Sequence, residues 1–197
     1  GVQFRYFITL LIVMIIAIPF AWNYLLADYQ KNRIINQFNP ESDPLGDGFQ
    51  QIQGKLSIGS GQIFGKGLFN GQRVLHGSVP VQESDFIFSV AGEELGFIGC
   101  MAVILLLVAL LVRTFYVGAK SCDTLGAYIC IGFFGMIASQ AVFNLGMCLS
   151  LLPVMGVTLP FFSAGGSSSA CLYFGIGLIQ SVYMKHLDVD NAQVSPV

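Results

Sequence analysis

A chain of 197 residues with 54% hydrophobic but only 10% charged residues, and a mean hydropathy of +0.71, is too poor in charge to cover a water-facing surface. A soluble domain uses about a quarter charged residues for that purpose, so lipid must solvate much of this one. The net charge of −2 and the lack of any basic run exclude a nucleic-acid footprint.

The first apolar segment runs from about Phe4 to Ala27, longer than the core of a secretory signal, and ends on Trp22, Asn23 and Tyr24. It reads as a true span, with Pro19 tolerated because neighbouring helices can satisfy the carbonyl it frees. Three more segments reach the roughly 20 apolar residues that a crossing helix needs, at about 86–112, 125–149 and 166–183. The expected fold is therefore an all-α polytopic membrane protein with four transmembrane helices. No internal repeat is evident.

Arg5, then Arg113 with Lys120, then Lys185 with His186 fall on one side of that arrangement, and the positive-inside rule makes it cytoplasmic. The charge-free connection 150–165 goes outside, and so by parity does residue range 28–85. That long loop is rich in glycine but also carries Phe49, Ile52, Leu56, Ile58, Phe64 and Phe69, too apolar for a disordered linker. It is expected to be ordered, with a short helix near Phe49–Ile58 on the outer membrane face. The five cysteines (Cys100, Cys122, Cys130, Cys148 and Cys171) show no disulfide or metal spacing and read as packing residues; the lone His76 has no role.

Asp85 stands where the loop meets the second span, within reach of a lipid headgroup; alternatively Ser84 or Asp85 caps the following helix. Glu93 and Glu94 precede the 18 apolar residues Leu95–Val112, about 27 Å of helix, and so lie near the outer hydrocarbon boundary. There they face either a cavity and a partner or the headgroups. Lys55, Lys66 and Arg73 are loop cations, either solvated or able to hold a diphosphate beside flexible glycines. Gln140 and Asn144 share a helical face and suit interhelical hydrogen bonding. The last span opens on Ser163-Ala164-Gly165-Gly166-Ser167, with Gly166 and Ala170 spaced for tight packing.

Read in order, several fragments resemble one family. They are Asn39-Pro40…Asp43-Pro44-Leu45-Gly46, Ile58-Gly59-Ser60-Gly61, Phe64-Gly65-Lys66-Gly67 and Ser84-Asp85-Phe86-Ile87-Phe88. Gly92-Glu93-Glu94-Leu95-Gly96, Asn144-Leu145-Gly146-Met147, Leu152-Pro153, Gly156-Val157, Leu159-Pro160-Phe161 and Ser163-Ala164-Gly165-Gly166-Ser167-Ser168 complete the series. The family is SEDS (shape, elongation, division and sporulation), and the wording is closer to its rod-shape (RodA-type) branch than to its division (FtsW-type) branch.

The resemblance implies a glycosyltransferase that polymerises lipid II, a disaccharide-peptide on undecaprenyl diphosphate, outside the bacterial cytoplasmic membrane. It places the catalytic aspartate at Asp85. Beside it, the residues read above as polar or close-packing, Lys55, Lys66, Arg73, Glu93, Glu94, Ser163, Gly165 and Gly166, are the substrate-contacting candidates. Either Lys55, Lys66 and Arg73 or a divalent cation (Mg²⁺ or Mn²⁺) would neutralise the diphosphate, with no protein metal site expected, and a class B penicillin-binding protein is the implied partner. Members have about ten spans, so residues 1–197 correspond to the last four of a single membrane domain, consistent with the missing initiating methionine. Both ends then face the cytoplasm. Val79-Pro80-Val81, Glu83-Ser84 and Ala164 depart from the usual pattern around the aspartate and the Gly-Gly-Ser run. A lipid II flippase and a non-catalytic scaffold for a wall-synthesis transpeptidase are the competing readings.

Overall fold

The computed structural model describes residues 4–39, 46–71 and 84–194, and every regular element among them is helical. We number them α1 (Phe4–Phe20), α2 (Asp28–Phe38), α3 (Asp47–Ser60), α4 (Ile87–Ala119), α5 (Thr124–Cys148) and α6 (Gly166–Val194). Arg73, His76 and the Val79-Pro80-Val81 departure lie outside the described residues.

Among the described residues two helices, α4 and α5, are long and apolar enough to cross a bilayer. Large apolar side chains on both, among them Leu105, Leu106, Val112, Ile131 and Val142, are exposed rather than buried against protein. The helices end at Ala119 and Val194, beyond the apolar spans expected from sequence.

α1 passes through Pro19 and widens into a π-helical turn at Ala21–Leu25. Proline has no N–H to give, and the disturbed ladder leaves carbonyls to satisfy. The Asn23 side chain donates to the Pro19 carbonyl at 2.9 Å, within the widened turn that follows the proline. The stretch after α1 is ordered into α2 and α3. At the start of α2, Gln30 Oε1 accepts the Ala27 N–H at 3.0 Å.

α3 contains the expected Phe49–Ile58 helix, but it packs against protein. Gly54, Ser57 and Gly61 face Phe86, Ser89 and Gly92 of the α4 entrance, and a Cβ at Gly54 would come within 2.9 Å of the Phe86 ring. Small residues at this seam let the two backbones come close, the usual basis of packing where lipid removes the hydrophobic drive.

The main core lies at this end of the molecule. Phe86, Phe88, Cys100, Val103 and Leu107 of α4 and its entrance meet Ala141, Met147 and Cys148 of α5, with Val154 and Leu159 from the connection after it. A smaller cluster at the opposite end joins Val117, Cys130 and Ile179, one from each of α4, α5 and α6.

α4 is broken. Gly96 has φ 68° and ψ −165°, a conformation open essentially to glycine alone. The loop after α3 enters the gap. Phe97 N donates to Gln62 O at 2.9 Å and Ile98 N to Ile63 O at 3.2 Å, while Glu93 O and Glu94 O accept from Lys66 N and Gly67 N, each at 3.0 Å. Those two donors and two acceptors would pair with each other in a continuous helix. The Phe64-Gly65-Lys66-Gly67 loop thus replaces one step of the helical ladder, and the backbones touch so closely that a Cβ at Gly96 would collide with Gly65 N.

Candidate active site

Asp85 is the residue just before the core-forming Phe86, at the entrance to α4. The helix cap is Phe86, with no side-chain cap hydrogen bond, so Asp85 is not spent on capping. Its carboxylate is half-buried and, among the described residues, has no hydrogen-bond or ion-pair partner. An acidic group held at a helix entrance without a structural job is available for chemistry.

What is held is its backbone. Asn144 Nδ2, on the fully buried side chain of α5, donates to Asp85 O at 2.8 Å and to Val157 O at 2.6 Å. The Cys148 thiol also points at Asp85 O, at 3.6 Å. Ser163 Oγ donates to Ser84 O at 2.6 Å and accepts from Leu159 N at 2.7 Å. Three elements therefore converge on the Ser84-Asp85 peptide: α4, the C-terminal end of α5 and the connection 149–165. That connection folds back as its prolines and glycine suggest, burying Val154, Leu159 and Pro160. Gly156 sits beside the acid with φ +65°, where a Cβ would lie 3.6 Å from Asp85 Oδ2.

The other candidates divide. Ser163 joins the Asp85 cluster through Ser84. Lys66 and Glu93 form an ion pair, Nζ to Oε1 at 2.6 Å, with Glu93 fully buried and the lysine side chain 30% exposed. Of the two readings for the glutamates, a protein partner is the one seen. Glu94 is buried beside it. Lys66 is committed to that pair, which replaces the solvated-cation reading.

Lys55 is exposed on α3 at a groove of about 750 Å³ shared with Gln51, Leu56, Ser60 and Ser150. Among the described residues no contact joins it to Asp85. Gly165 accepts the Ser169 N–H at the start of α6, and Gly166 is exposed with open space around it. Gln140 does not share the role of Asn144; its Oε1 is buried without a partner among the described residues.

Sequence reasoning gave Asn144 a helix-to-helix bond, whereas it clamps two backbone carbonyls; a polar side chain in an apolar span was the available signal. Nothing in the sequence pointed to Gly156 as a neighbour of the acid. The packing reading of the cysteines holds for Cys100, Cys130 and Cys148 but not for the exposed Cys122 and Cys171. Among the described residues no three His, Cys, Asp or Glu side chains converge, so they do not compose a cage for a divalent cation.

Known proteins give this arrangement a setting. The model of the FtsW/RodA/SpoVE family, described as cell cycle protein, matches residues 1–187. The chain is similar to peptidoglycan glycosyltransferase MrdB of Escherichia coli, 36% identical over 183 residues that cover 93% of this chain and 50% of that protein. It is 40% identical over 158 residues to stage V sporulation protein E of Bacillus subtilis, covering 80% and 43%. To a probable peptidoglycan glycosyltransferase FtsW of Geobacter metallireducens it is 36% identical over 171 residues, covering 86% and 45%.

A solved chain described under "Structural coordination of polymerization and crosslinking by a peptidoglycan synthase complex" superposes with a TM-score of 0.71 at 34% identity, covering 92% of this chain and 49% of that one. The chain spans about half the length of the relatives it matches. With the family profile covering nearly all of its residues, the chain belongs to the FtsW/RodA/SpoVE family of cell cycle proteins, the SEDS family.

Proposed function

We propose that this chain is the C-terminal, acid-bearing part of a peptidoglycan glycosyltransferase that polymerises lipid II, with Asp85 as general base. The single observation that carries the reading is a carboxylate without a structural partner among the described residues, on a backbone gripped by Asn144 and Ser163. The names of the relatives support the reaction class.

The chemistry asks little more of this chain. A diphosphate is already a good leaving group, so the reaction turns on position and on the incoming hydroxyl. Asp85 takes the proton of that sugar hydroxyl as its oxygen bonds to the anomeric carbon of the other lipid-linked sugar. The bond from that carbon to the diphosphate breaks, and the diphosphate leaves on its lipid. A base in this role contributes typically 10²–10⁴-fold. One displacement inverts the anomeric centre and needs no second carboxylate as nucleophile, as in inverting glycosidases.

In this reading α1, α4, α5 and α6 all span the bacterial cytoplasmic membrane, Asp85 faces outward and the α4–α5 connection faces the cytoplasm, the orientation that the positive-inside rule favours. A wall-synthesis transpeptidase of the class B penicillin-binding type is the partner, in keeping with the synthase complex described for the solved relative. The diphosphate is neutralised by a cation, Mg²⁺ or Mn²⁺, supplied with the substrate, or by loop lysines.

One feature favours a second reading. A broken helix beside the buried Glu93 and Glu94, with Lys66 paired to the first, is a motif that lipid and ion transporters use. The Asp85→Asn variant of the full-length protein separates the two. The polymerase reading expects glycan synthesis to vanish while the protein stays folded in the membrane. Near-normal glycan synthesis by that variant removes Asp85 from the mechanism, and translocation of lipid II into vesicles without polymerisation establishes the transporter.

A further inference from the structure

We propose that Cys122 is a thiol-modification site at which low-molecular-weight disulfides exchange, with His186 as the base. The cysteine lies in the short connection between α4 and α5, far along the chain from the acid site. It is exposed, and its Sγ stands 3.3 Å from His186 Nδ1 on α6. The two side chains border a pocket of about 140 Å³ whose other polar lining includes Ser121, Asp123, Ser181 and Lys185.

The surrounding charges leave the imidazole as the base for this thiol. Asp123 and Lys185 are the other titratable groups in the pocket, and they are engaged with each other at 3.2 Å. The remaining cysteines lack this setting. Cys100, Cys130 and Cys148 are buried, and the exposed Cys171 shows no polar partner among the described residues. The thiolate rather than the thiol attacks disulfides, so a base at hydrogen-bond distance selects one cysteine among five.

The incoming disulfide is itself the oxidant, so the step balances with no further electron acceptor. With the ring carrying its own proton on Nε2, His186 Nδ1 accepts the Cys122 proton and the sulfur attacks one sulfur of the disulfide. The S–S bond breaks, and the departing thiolate takes the proton back from the imidazolium. The products are a mixed disulfide on Cys122 and one free thiol. The adduct then occupies the pocket beside Asp123 and Lys185, the contact that ties the end of α6 to the α4–α5 connection.

The test uses the whole protein in native membrane vesicles opened to both faces, glutathione disulfide as the probe, and mass spectrometry to follow each cysteine. At neutral pH, His186→Gln is expected to slow adduct formation at Cys122 about tenfold, and the gap is expected to close at pH 9.5, where a thiol ionises unaided. An unaltered rate at Cys122 in His186→Gln overturns the proposal. Should that variant fail to accumulate, the unmodified protein decides. A Cys122 rate that levels off below pH 8 supports assistance by the imidazole, and a rate still climbing through pH 8, as an unassisted thiol's does, overturns it.

Discussion

Asn144 grips Asp85 by its backbone rather than its carboxylate, with one amide nitrogen donating to Asp85 O at 2.8 Å and to Val157 O at 2.6 Å. A buried side chain on one helix thereby fixes where the acid on the next begins, and leaves the acid itself uncommitted. Asn144→Leu removes the amide donor from two part-buried carbonyls, of which Asp85 O keeps only the weak Cys148 thiol contact, at a cost of about 1–3 kcal/mol for a carbonyl left without a partner. The expected result is a lower melting temperature in detergent and at least a tenfold loss of lipid II polymerisation. Asn144→Asp keeps the shape but turns a donor toward two acceptors into a third acceptor, so it should do no better than leucine. An aspartate variant of normal stability and activity would show that the two bonds do not position the acid.

How much of this was legible in the sequence depends on the range of the interaction. Apolar length alone marks α4 and α5, and the Phe49–Ile58 spacing marks α3, because helical periodicity is local. The ion pair of Lys66 with Glu93, 27 residues apart, was not legible. It depends on the loop entering a broken helix, and a glycine within an apolar run, such as Gly96, reads equally as a packing contact. The same holds at the acid. Asp85 could be singled out by its place between loop and span, but its holders Asn144, Ser163 and Gly156 are joined to it only by tertiary folding.

Gly96 should be among the least replaceable residues outside the reaction itself. Its φ of 68° and ψ of −165° cost a residue with a Cβ on the order of 1–3 kcal/mol, and the added carbon also collides with Gly65 N. Gly96→Ala is expected to expel the Gln62–Gly67 loop from the break in α4. Limited proteolysis checks this, since cleavage within the released loop should accelerate relative to the unmodified protein. A resistant loop in that variant would mean the break is not maintained by glycine.

The Lys66–Glu93 pair separates a structural from a substrate-binding lysine. Lys66→Met leaves the Glu93 carboxylate buried without its cation, a change that costs about 3–5 kcal/mol for a fully buried pair and less here because Lys66 is 30% exposed. Lys66→Met combined with Glu93→Gln removes both charges and should recover most of that stability. Activity decides the role. If the lysine holds the loop in place, the double variant regains polymerisation along with stability; if it also meets the diphosphate, stability returns while activity does not.

At the other end of the molecule, pH should act on Asp123. The hydrogen bond from the Lys185 side chain, helped by the Leu125 N–H, holds its carboxyl below the ordinary value of 3.8. A carboxyl lowered on folding contributes above its unfolded value and loses that contribution as pH falls through the folded one. The contact between α6 and the α4–α5 connection should therefore be constant from pH 8 down to 5 and weaken only below about 4. Both groups are well exposed to solvent, so the effect is small and salt should screen it. Hydrogen exchange in the first turn of α5, where Asp123 accepts from Leu125 N, reads it directly. Exchange there is expected to quicken in Asp123→Asn at pH 7. In the unmodified protein, corrected for the intrinsic rate, it should quicken only in acid. A change already present at pH 6 would show that the sensitivity does not come from Asp123.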